Sequence, residues 1–414
     1  MQQALNIPEI LAQIGQFLDS SSLGICTRVS RSWSAAFGVI LYRNISIKIT
    51  LFRYGAPSLA VLERHARQIV SMTLIMPSDL EYFALKCPNL RALHLEGWCG
   101  IRLKTIPEYK DRGHSKTLEL IQEHQPTLKT VSVGMLWPIA KSPEFWTAIA
   151  ECPILETLLV RDEKMFARRD AREQQAFWGA CTRVENLTLK NLRFWSAVNV
   201  PSALDFGQVR KLKLVKSEGW DADKQVEWME RCPELRVLKW VMPKVELPAS
   251  GVDAPALINF SASWPNLREL TLSGYGIQDH NLAIVISTAQ VLVKLSVPQT
   301  SFGRMAFAAL RTHHFQVLKY LNFRECESVT SAMVQEAMAS CPNLEFLRAP
   351  LLRSVDVLLG APWVCLKLKQ LQLQNLLLDA DNTDEEVQKL ALSARFSALK
   401  EVSLDFPHNL SIIR

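Results

Sequence analysis

The stretch Leu318-Lys319-Tyr320-Leu321-Asn322-Phe323 sets the pattern for most of this 414-residue chain. It consists of an apolar residue, two variable residues, a second apolar residue, one variable residue and a third apolar residue. Side chains alternate across a β-strand, so the second and third apolar residues are expected on one face of a strand. Thirteen such phrases occur, at spacings of 21 to 38 residues. They begin at Ile69, Leu90, Leu128, Leu155, Val184, Val209, Leu235, Leu267, Leu292, Leu318, Leu344, Leu368 and Leu399.

The residues that follow a strand predict a helix with a defined end. After Phe323, Thr330 or Ser331 can cap a helix, and Val334, Ala337 and Met338 recur at helical spacing. A proline then ends the helix. Equivalent stops are Cys87-Pro88, Gln125-Pro126, Cys152-Pro153, Cys232-Pro233, Trp264-Pro265 and Cys341-Pro342.

Phrase, stop and period together resemble the cysteine-containing subclass of leucine-rich repeats. We therefore predict the α/β class, as a solenoid with a curved parallel sheet and helices on its convex side. Such a sheet offers a long concave face and no deep catalytic pocket. Residues 104–116 are polar and contain Pro107 and Gly113, which predicts an exposed loop.

Composition is typical of a folded protein with a mild charge. The hydrophobic fraction is 48%, the charged fraction 21% and the net charge +6, which does not by itself indicate nucleic acid. The nine cysteines include no CxxC pair, and five of them recur at one repeat position, which favours buried reduced thiols. We find no signal-peptide pattern and no apolar window of membrane-spanning length. We therefore expect no membrane partner and a cytoplasmic and/or nuclear location.

Residues 6–45 do not follow the repeat phrase and predict helices instead. Asn6 and Glu9 can form a capping box, with Pro8 in the first turn. Apolar residues then follow one helical face as far as Leu18, and a polar stretch from Asp19 breaks the helix. From this pattern alone, the segment either awaits a partner or caps the open end of the solenoid.

The order and spacing of particular residues in this segment resemble an F-box. The matching stretches are Ile7-Pro8-Glu9-Ile10-Leu11, Ile14, Phe17-Leu18, Leu23, Val29-Ser30-Arg31-Ser32-Trp33 and Ile40-Leu41-Tyr42-Arg43. The sequence departs from the family at Ile7, where Leu is usual, at Ser30, where Cys is common, and at Tyr42, where Trp is common. The predicted organisation is a small all-helical F-box at 1–48, followed by about 13 repeats at 49–414.

This pairing resembles the substrate receptors of SCF-type ubiquitin ligases. The resemblance implies that the F-box docks on a Skp-family adaptor, and through it on a cullin, while the repeats hold a target protein for ubiquitination. The residues predicted to supply the adaptor contact or its immediate support are Pro8, Ile10, Leu11, Ile14, Leu18, Val29 and Trp33.

The variable strand positions are predominantly basic. The third, fifth and seventh residues of each phrase should face the concave surface, and in the fourth to eleventh phrases Glu269 is the one acid among them. This skew predicts a basic groove for an acidic or phosphorylated partner segment. The alternative is a set of solvated residues neutralised by nearby acidic loops. The basic residues are Arg161, Lys190, Lys211, Lys213, Lys239, Lys294, Arg324 and Arg348.

Catalytic and metal-binding motifs are not found in the sequence. There is no nucleotide loop, HExxH helix or GxSxG elbow; Gly274-Tyr275-Gly276 lacks the third glycine of a dinucleotide loop, and His313-His314 lacks a third ligand at fixed spacing. We therefore expect no catalytic residues, metal or cofactor, and a receptor that is not an enzyme. Two alternatives are a non-ligase repeat scaffold whose N-terminal helices only cap the solenoid, and an RNA-associated binder, although a nucleic-acid partner is not expected.

Overall fold

The structure is a computed structural model. It describes residues 7–48, 58–75, 80–97, 107–134, 142–162, 164–165, 171–194, 198–243, 264–274, 276–350, 363–373, 401–405 and 411–413. The chain divides into two compact units, Met1–Leu204 and Asp205–Arg414, and each is described by itself.

Unit 1 begins with three helices, of which the first two pack against the third. Asp19 caps the second helix by accepting a hydrogen bond from the Ser22 N–H at 2.7 Å, and Ser30 caps the third through the Trp33 N–H at 3.2 Å. The helices are α1 (Pro8–Gly15), α2 (Ser20–Cys26) and α3 (Arg31–Leu41).

The start and the end of α1 differ from the sequence prediction. Its N-cap is Ile7, one residue after the predicted cap, and the capping box of Asn6 and Glu9 stays a prediction. Asn6 itself lies outside the described residues. The helix ends at Gly15 rather than continuing to Leu18.

A parallel sheet follows in unit 1, with strands side by side in chain order. A separate two-stranded parallel ladder is formed by two short strands, β6 (Lys164–Met165) and β8 (Arg193–Phe194). The sheet strands are β1 (Asn44–Lys48), β2 (Ser71–Ile75), β3 (Ala92–Glu96), β4 (Thr130–Gly134), β5 (Thr157–Arg161) and β7 (Asn186–Lys190). The helices are α4 (Leu59–His65), α5 (Pro107–His124), α6 (Pro143–Ala150) and α7 (Ala171–Thr182).

Two of these elements were not predicted. Strand β1 lies inside the segment predicted as all-helical and pairs with β2, with Ile45 and Ile47 buried. Helix α5 begins at Pro107, so most of the loop predicted at 104–116 is wrong; proline is tolerated in the first turn, where its missing N–H costs little.

Unit 2 continues the same pattern. Eight strands lie parallel in chain order, and a ninth, β17, pairs antiparallel with β16. The strands are β9 (Lys211–Val215), β10 (Val237–Val241), β11 (Glu269–Ser273), β12 (Lys294–Ser296), β13 (Tyr320–Asn322), β14 (Phe346–Ala349), β15 (Gln370–Leu373), β16 (Glu401–Asp405) and β17 (Ser411–Ile413). The helices are α8 (Ala222–Glu230), α9 (Asp279–Thr288), α10 (Arg304–His314) and α11 (Ser331–Ser340).

All thirteen predicted strands are confirmed. Each begins two residues after the first residue of its phrase, and equivalent positions pair in register, as Leu238 does with Leu270. The core-facing residues predicted for these strands are fully buried. Each unit is therefore an α/β solenoid of the leucine-rich-repeat type. The buried residues are Leu93, Leu95, Leu270, Leu272, Leu321 and Leu371.

The helices cover the face of the sheet that carries these buried residues. Trp240 on β10 points into the core, and its indole N–H donates to Gln225 Oε1 on α8 at 2.8 Å. Thr330 caps α11 as predicted, and Val334, Ala337 and Met338 are buried. The variable strand positions, such as Lys239 beside Trp240, therefore lie on the opposite face of the sheet from the helices.

The cysteines at the shared repeat position belong to the core. Cys87, Cys152, Cys181, Cys232 and Cys341 are buried, and the described cysteines are free thiols. Burial raises the pKa of four of these thiols, those of Cys87, Cys152, Cys232 and Cys341, to about 12. These four thiols therefore stay protonated and unreactive at neutral pH. Among the described residues, no helix is long and apolar enough to cross a bilayer.

Candidate functional site

Residues 7–41, termed the helical element, enclose a very small core. Leu11, Leu23 and Phe37 are buried in it. The Trp33 ring meets the Phe37 ring edge-on, with the ring centroids 5.3 Å apart. Six further side chains pack around this core and are only partly buried: Leu18, Cys26, Trp33, Ala36, Ile40 and Leu41.

The same element leaves much of its apolar surface exposed. Half of the fourteen exposed large apolar side chains among the described residues lie between positions 7 and 39. Single exposed apolar residues are ordinary, whereas a concentration of them in one small element marks an interaction surface. We call this set the exposed apolar set. Its members are Ile7, Ile10, Ile14, Phe17, Ile25, Val29 and Val39.

The predicted adaptor-contact residues fall into two groups. Pro8, Ile10, Ile14 and Val29 are exposed. The remaining three support the element from within: Leu11 belongs to the core, and Leu18 and Trp33 pack against it. A substitution at Leu11 would therefore test folding rather than contact.

Two prominent members of the exposed apolar set were missing from the predicted contacts. Phe17 is 89% exposed and Ile25 is 64% exposed. Phe17 follows the end of α1 and lies two residues before the Asp19 cap, so no helical face directs it into the core. The sequence feature that could have identified Phe17 as exposed is its position between the end of one helix and the aspartate that caps the next.

On the sheet face of unit 1, the predicted basic residue Arg161 is neutralised. Its Nη2 lies 2.5 Å from Glu96 Oε1, and the ion pair is partly buried. Arg161 reaches Glu96 on β3 across the intervening strand β4 because position 134 is glycine. A Cβ at Gly134 would lie 2.8 Å from Arg161 Cγ. Lys190, paired in register with Arg161, is exposed.

On the sheet face of unit 2, three lysines form what we call the basic end. Lys211 and Lys213 lie on β9 and Lys239 on β10, and all three are exposed. Lys213 and Lys239 occupy paired positions on the two strands. Within the described residues, Lys211 and Lys213 have no ion pair. Neighbouring cations of this kind create a positive potential over the face.

Further along the same face, two aromatic residues are stacked. Tyr320 on β13 and Phe346 on β14 pair in register, with ring centroids 4.2 Å apart and an interplanar angle of 3°. Lys294 on β12 places its ammonium group 4.8 Å from the Tyr320 ring centroid. We call Lys294, Tyr320, Phe346 and Arg348 the aromatic end.

The Tyr320 hydroxyl is available as a donor at neutral pH. Burial raises the pKa of this hydroxyl, and the nearby Arg348 guanidinium opposes the rise only in part. The phenol therefore stays protonated and can donate a hydrogen bond to an anion.

Acidic neighbours partly neutralise two other predicted basic residues. Lys294 lies 3.9 Å from Glu269, and Arg324 Nε lies 2.6 Å from Glu325 Oε1. The basic residues of unit 2 are thus not one uniform positive surface. The structure places Lys211, Lys213 and Lys239 on two neighbouring strands, and Lys294 and Arg348 on the two strands that flank β13. Arg161, Lys294 and Arg324 each lie beside an acid.

Of the adjacent histidines His313 and His314, His314 has a structural role in the repeats. His314 is buried and accepts a hydrogen bond from the Leu292 N–H at Nδ1, while its Nε2 donates to the Ile286 carbonyl at 2.8 Å. Among the described residues, no group of three or more potential ligands could hold a metal ion.

Comparisons with known proteins give only distant likenesses. No family model and no curated protein matches the sequence. A yeast complex of Rad7 and Elc1 is 14% identical, covering 92% of this chain and 91% of that one, with a TM-score of 0.47. A complex of TLR13 with ssRNA13 is 10% identical, covering 88% and 61%, with a TM-score of 0.25. Likenesses of this strength do not bear on the function.

Proposed function

We propose that this protein is the substrate-recognition subunit of an SCF-type ubiquitin ligase. The helical element docks on a Skp-family adaptor, which joins it to a cullin, and the face of the repeat sheet binds the target protein. The observation that carries this proposal is the exposed apolar set, which is concentrated in the element that resembles an F-box.

The position of the exposed apolar set favours partner binding over simple capping. A helical cap would bury its apolar side chains against the repeats and expose polar ones. Here the junction with the repeats is made by β1, which pairs with β2, and by Tyr42, whose ring stacks on His65 at 3.8 Å. The exposed side chains of α1 are not used in that junction, which supports a separate role for them.

The protein recruits and does not catalyse, in this proposal. The thiols of Cys87, Cys152, Cys232 and Cys341 have a pKa raised to about 12 by burial, so they are poor candidates for carrying a ubiquitin thioester. Transfer would fall to the partner subunits. Buried free thiols also suit a cytoplasmic or nuclear location.

The test is a double substitution in the exposed apolar set, Ile14→Asp with Phe17→Asp. Burying one such side chain contributes about 1.5–3 kcal/mol, so loss of both contacts should reduce adaptor capture more than about 100-fold. Adaptor binding is measured by pull-down and calorimetry with the full chain. Because both positions are exposed, the melting temperature should stay unchanged.

A matched control is Met305→Asp with Leu366→Asp. These residues are exposed to 57% and 89% and lie among the repeats, so the control makes the same chemical change away from the helical element. Full adaptor binding by the control supports the proposal. Undiminished binding by the Ile14/Phe17 variant would overturn it and favour a repeat scaffold whose helices only cap the solenoid.

A further inference from the structure

The two clusters on the sheet of unit 2, the basic end and the aromatic end, lie on the same face of that sheet. The basic end and the aromatic end both lie at third and fifth positions of their phrases, on the face opposite the helices. They are joined by the strand order β9-β10-β11-β12-β13-β14. A single extended ligand crossing the strands could therefore reach both.

We propose that this face binds an extended acidic segment of the target, with anionic groups at both ends and a neutral middle. The proposal rests on the proposed function, since it describes the target-binding half of the receptor. One anionic group meets Lys211, Lys213 and Lys239. The other meets Lys294, Arg348 and the Tyr320 hydroxyl.

The strand spacing fixes the length of the segment. Five strand steps separate the outermost strands, β9 and β14, and about three and a half steps separate the centres of the two ends. At about 4.8 Å for each step the separation is about 17–24 Å, and an extended chain rising about 3.3 Å per residue spans it with about five to seven residues. The two anionic groups should therefore be about five to seven residues apart in the target.

The surface between the two ends is suited to a neutral middle. The third residue of the phrase on β11 is Glu269, which lies beside Lys294 and repels a carboxylate or phosphate placed above it. The fifth residues of the phrases on β11 and β12 are Thr271 and Ser296, which are small and polar. A continuous run of acidic residues is therefore a poorer match than two separated groups.

The stacked rings favour an acidic peptide over single-stranded nucleic acid. Proteins that bind single strands use open aromatic faces on which bases stack. One face of Tyr320 is covered by Phe346, and the Lys294 ammonium also lies over this ring. Ring edges carry positive electrostatic potential, so the edges that remain add to the attraction for carboxylate or phosphate groups.

The test uses fluorescently labelled peptides and the full chain, with binding measured by anisotropy. The probe has two Glu residues at each end and about six Ser, Thr and Gly residues between them. A second peptide has the same composition with all Glu residues contiguous, and should bind about ten-fold more weakly because it reaches one end only. A phosphoserine version of the first peptide distinguishes phosphate from carboxylate: its tighter binding supports a phosphorylated target at this same site.

Variants at each end test the two contacts. Lys211→Glu with Lys213→Glu, and separately Arg348→Gln, should each weaken the spaced peptide about ten-fold. The charge-matched control is Lys224→Glu with Arg304→Glu, on helices α8 and α10, and should bind normally. Binding should also weaken as salt rises, because exposed ion pairs are screened within about 8–10 Å at 0.1–0.15 M.

Several outcomes would overturn this inference. They are equal binding of the spaced and contiguous peptides, normal binding by the Lys211/Lys213 variant, or tighter binding of a single-stranded oligonucleotide than of any peptide. Adaptor pull-down is run on the same variants. Retained adaptor capture with lost peptide binding, or the reverse, separates failure of this site from failure of the proposed function.

Discussion

The helical element and the repeats use apolar residues for different purposes. In the helical element three side chains, Leu11, Leu23 and Phe37, are buried, while seven large apolar side chains stay exposed. In the repeats, the core position of strand after strand is fully buried, as at Leu95 and Leu321. Apolar residues in the repeats hold the fold together, whereas many of those in the helical element are available for contact.

The difference has a simple physical origin. A repeat covers its apolar edge with the next repeat, so the array can bury each ladder completely. A segment of about forty residues has too much surface for its volume to do the same. Exposed apolar residues in the helical element therefore follow from its size, and a partner is what would cover them.

Substitution of a repeat leucine should have the largest effect on stability. Leu321→Ala removes a fully buried side chain from β13, which should cost about 2–5 kcal/mol in the free energy of unfolding. Phe17→Ala, at an exposed position, should cost no more than about 0.5 kcal/mol. Urea unfolding followed by circular dichroism measures both. Similar losses at the two positions would break the comparison between the two regions.

Helix capping gives a second, smaller contrast. In the helical element, Asp19 caps its own helix α2. In the repeats, Asp279 of α9 caps the neighbouring helix α10, accepting hydrogen bonds from the N–H groups of Gly303, Met305 and Ala306 at 2.8–2.9 Å. One carboxylate thus serves three otherwise unpaired donors of the next repeat.

Asp279→Ala should therefore destabilise unit 2 by about 1–3 kcal/mol, because it leaves those donors without their acceptor. Asp279→Asn keeps one acceptor oxygen and should cost less. Asp19→Ala, which removes a single exposed cap bond, should cost about 0.5–1 kcal/mol. Thermal melts of the three variants give the order, and a larger loss for Asp19→Ala than for Asp279→Ala would contradict it.

The repeat strands could be predicted from sequence because the phrase itself encodes their alternation. The apolar residue at each alternate position identifies the buried face directly, and all thirteen strands follow from it. Strand β1 is not predicted, although Tyr42, Ile45 and Ile47 fit the same phrase. The reason is that Tyr42 also matches the F-box pattern and is counted there. The boundary at residue 48 between F-box and repeats stays a prediction.

The interaction surfaces were less predictable because they depend on contacts between residues distant in the sequence. Charge counting identified Arg161 as a basic residue of the face but could not show that Gly134 lets it reach Glu96. The Tyr320–Phe346 stack depends on register between strands that are 26 residues apart in the chain. Lys211, Lys213 and Lys239 were predictable as a group because consecutive phrases place them on neighbouring strands.

Acidic pH should distinguish the two regions, because residues 1–48 contain no histidine and the described part of the repeats contains two buried ones. The Cys87 N–H donates to Nε2 of His124 at 3.0 Å, and Nδ1 of His124 donates to the Leu120 carbonyl. His314 makes the equivalent pair of bonds with its ring nitrogens exchanged. Each ring must remain neutral to accept its hydrogen bond.

Burial is the largest cause of a lowered pKa at both imidazoles; the His314 value is lowered further by His313, and the His124 value is raised in part by Glu123. As pH falls below about 6.5, the unfolded chain takes up protons that these folded rings resist. The stability of the repeats should be full above about pH 6.5 and should decrease below it, until the pH reaches the lowered pKa values of the folded state. Urea unfolding between pH 7.5 and 5 measures this, with His124→Gln and His314→Gln as variants. Burial also lowers the pKa of His94, which therefore contributes to the same loss of stability. Each variant should remove only the part of the pH dependence that its own histidine causes. An unchanged pH profile in both variants would show that the two rings do not act as buried neutral acceptors.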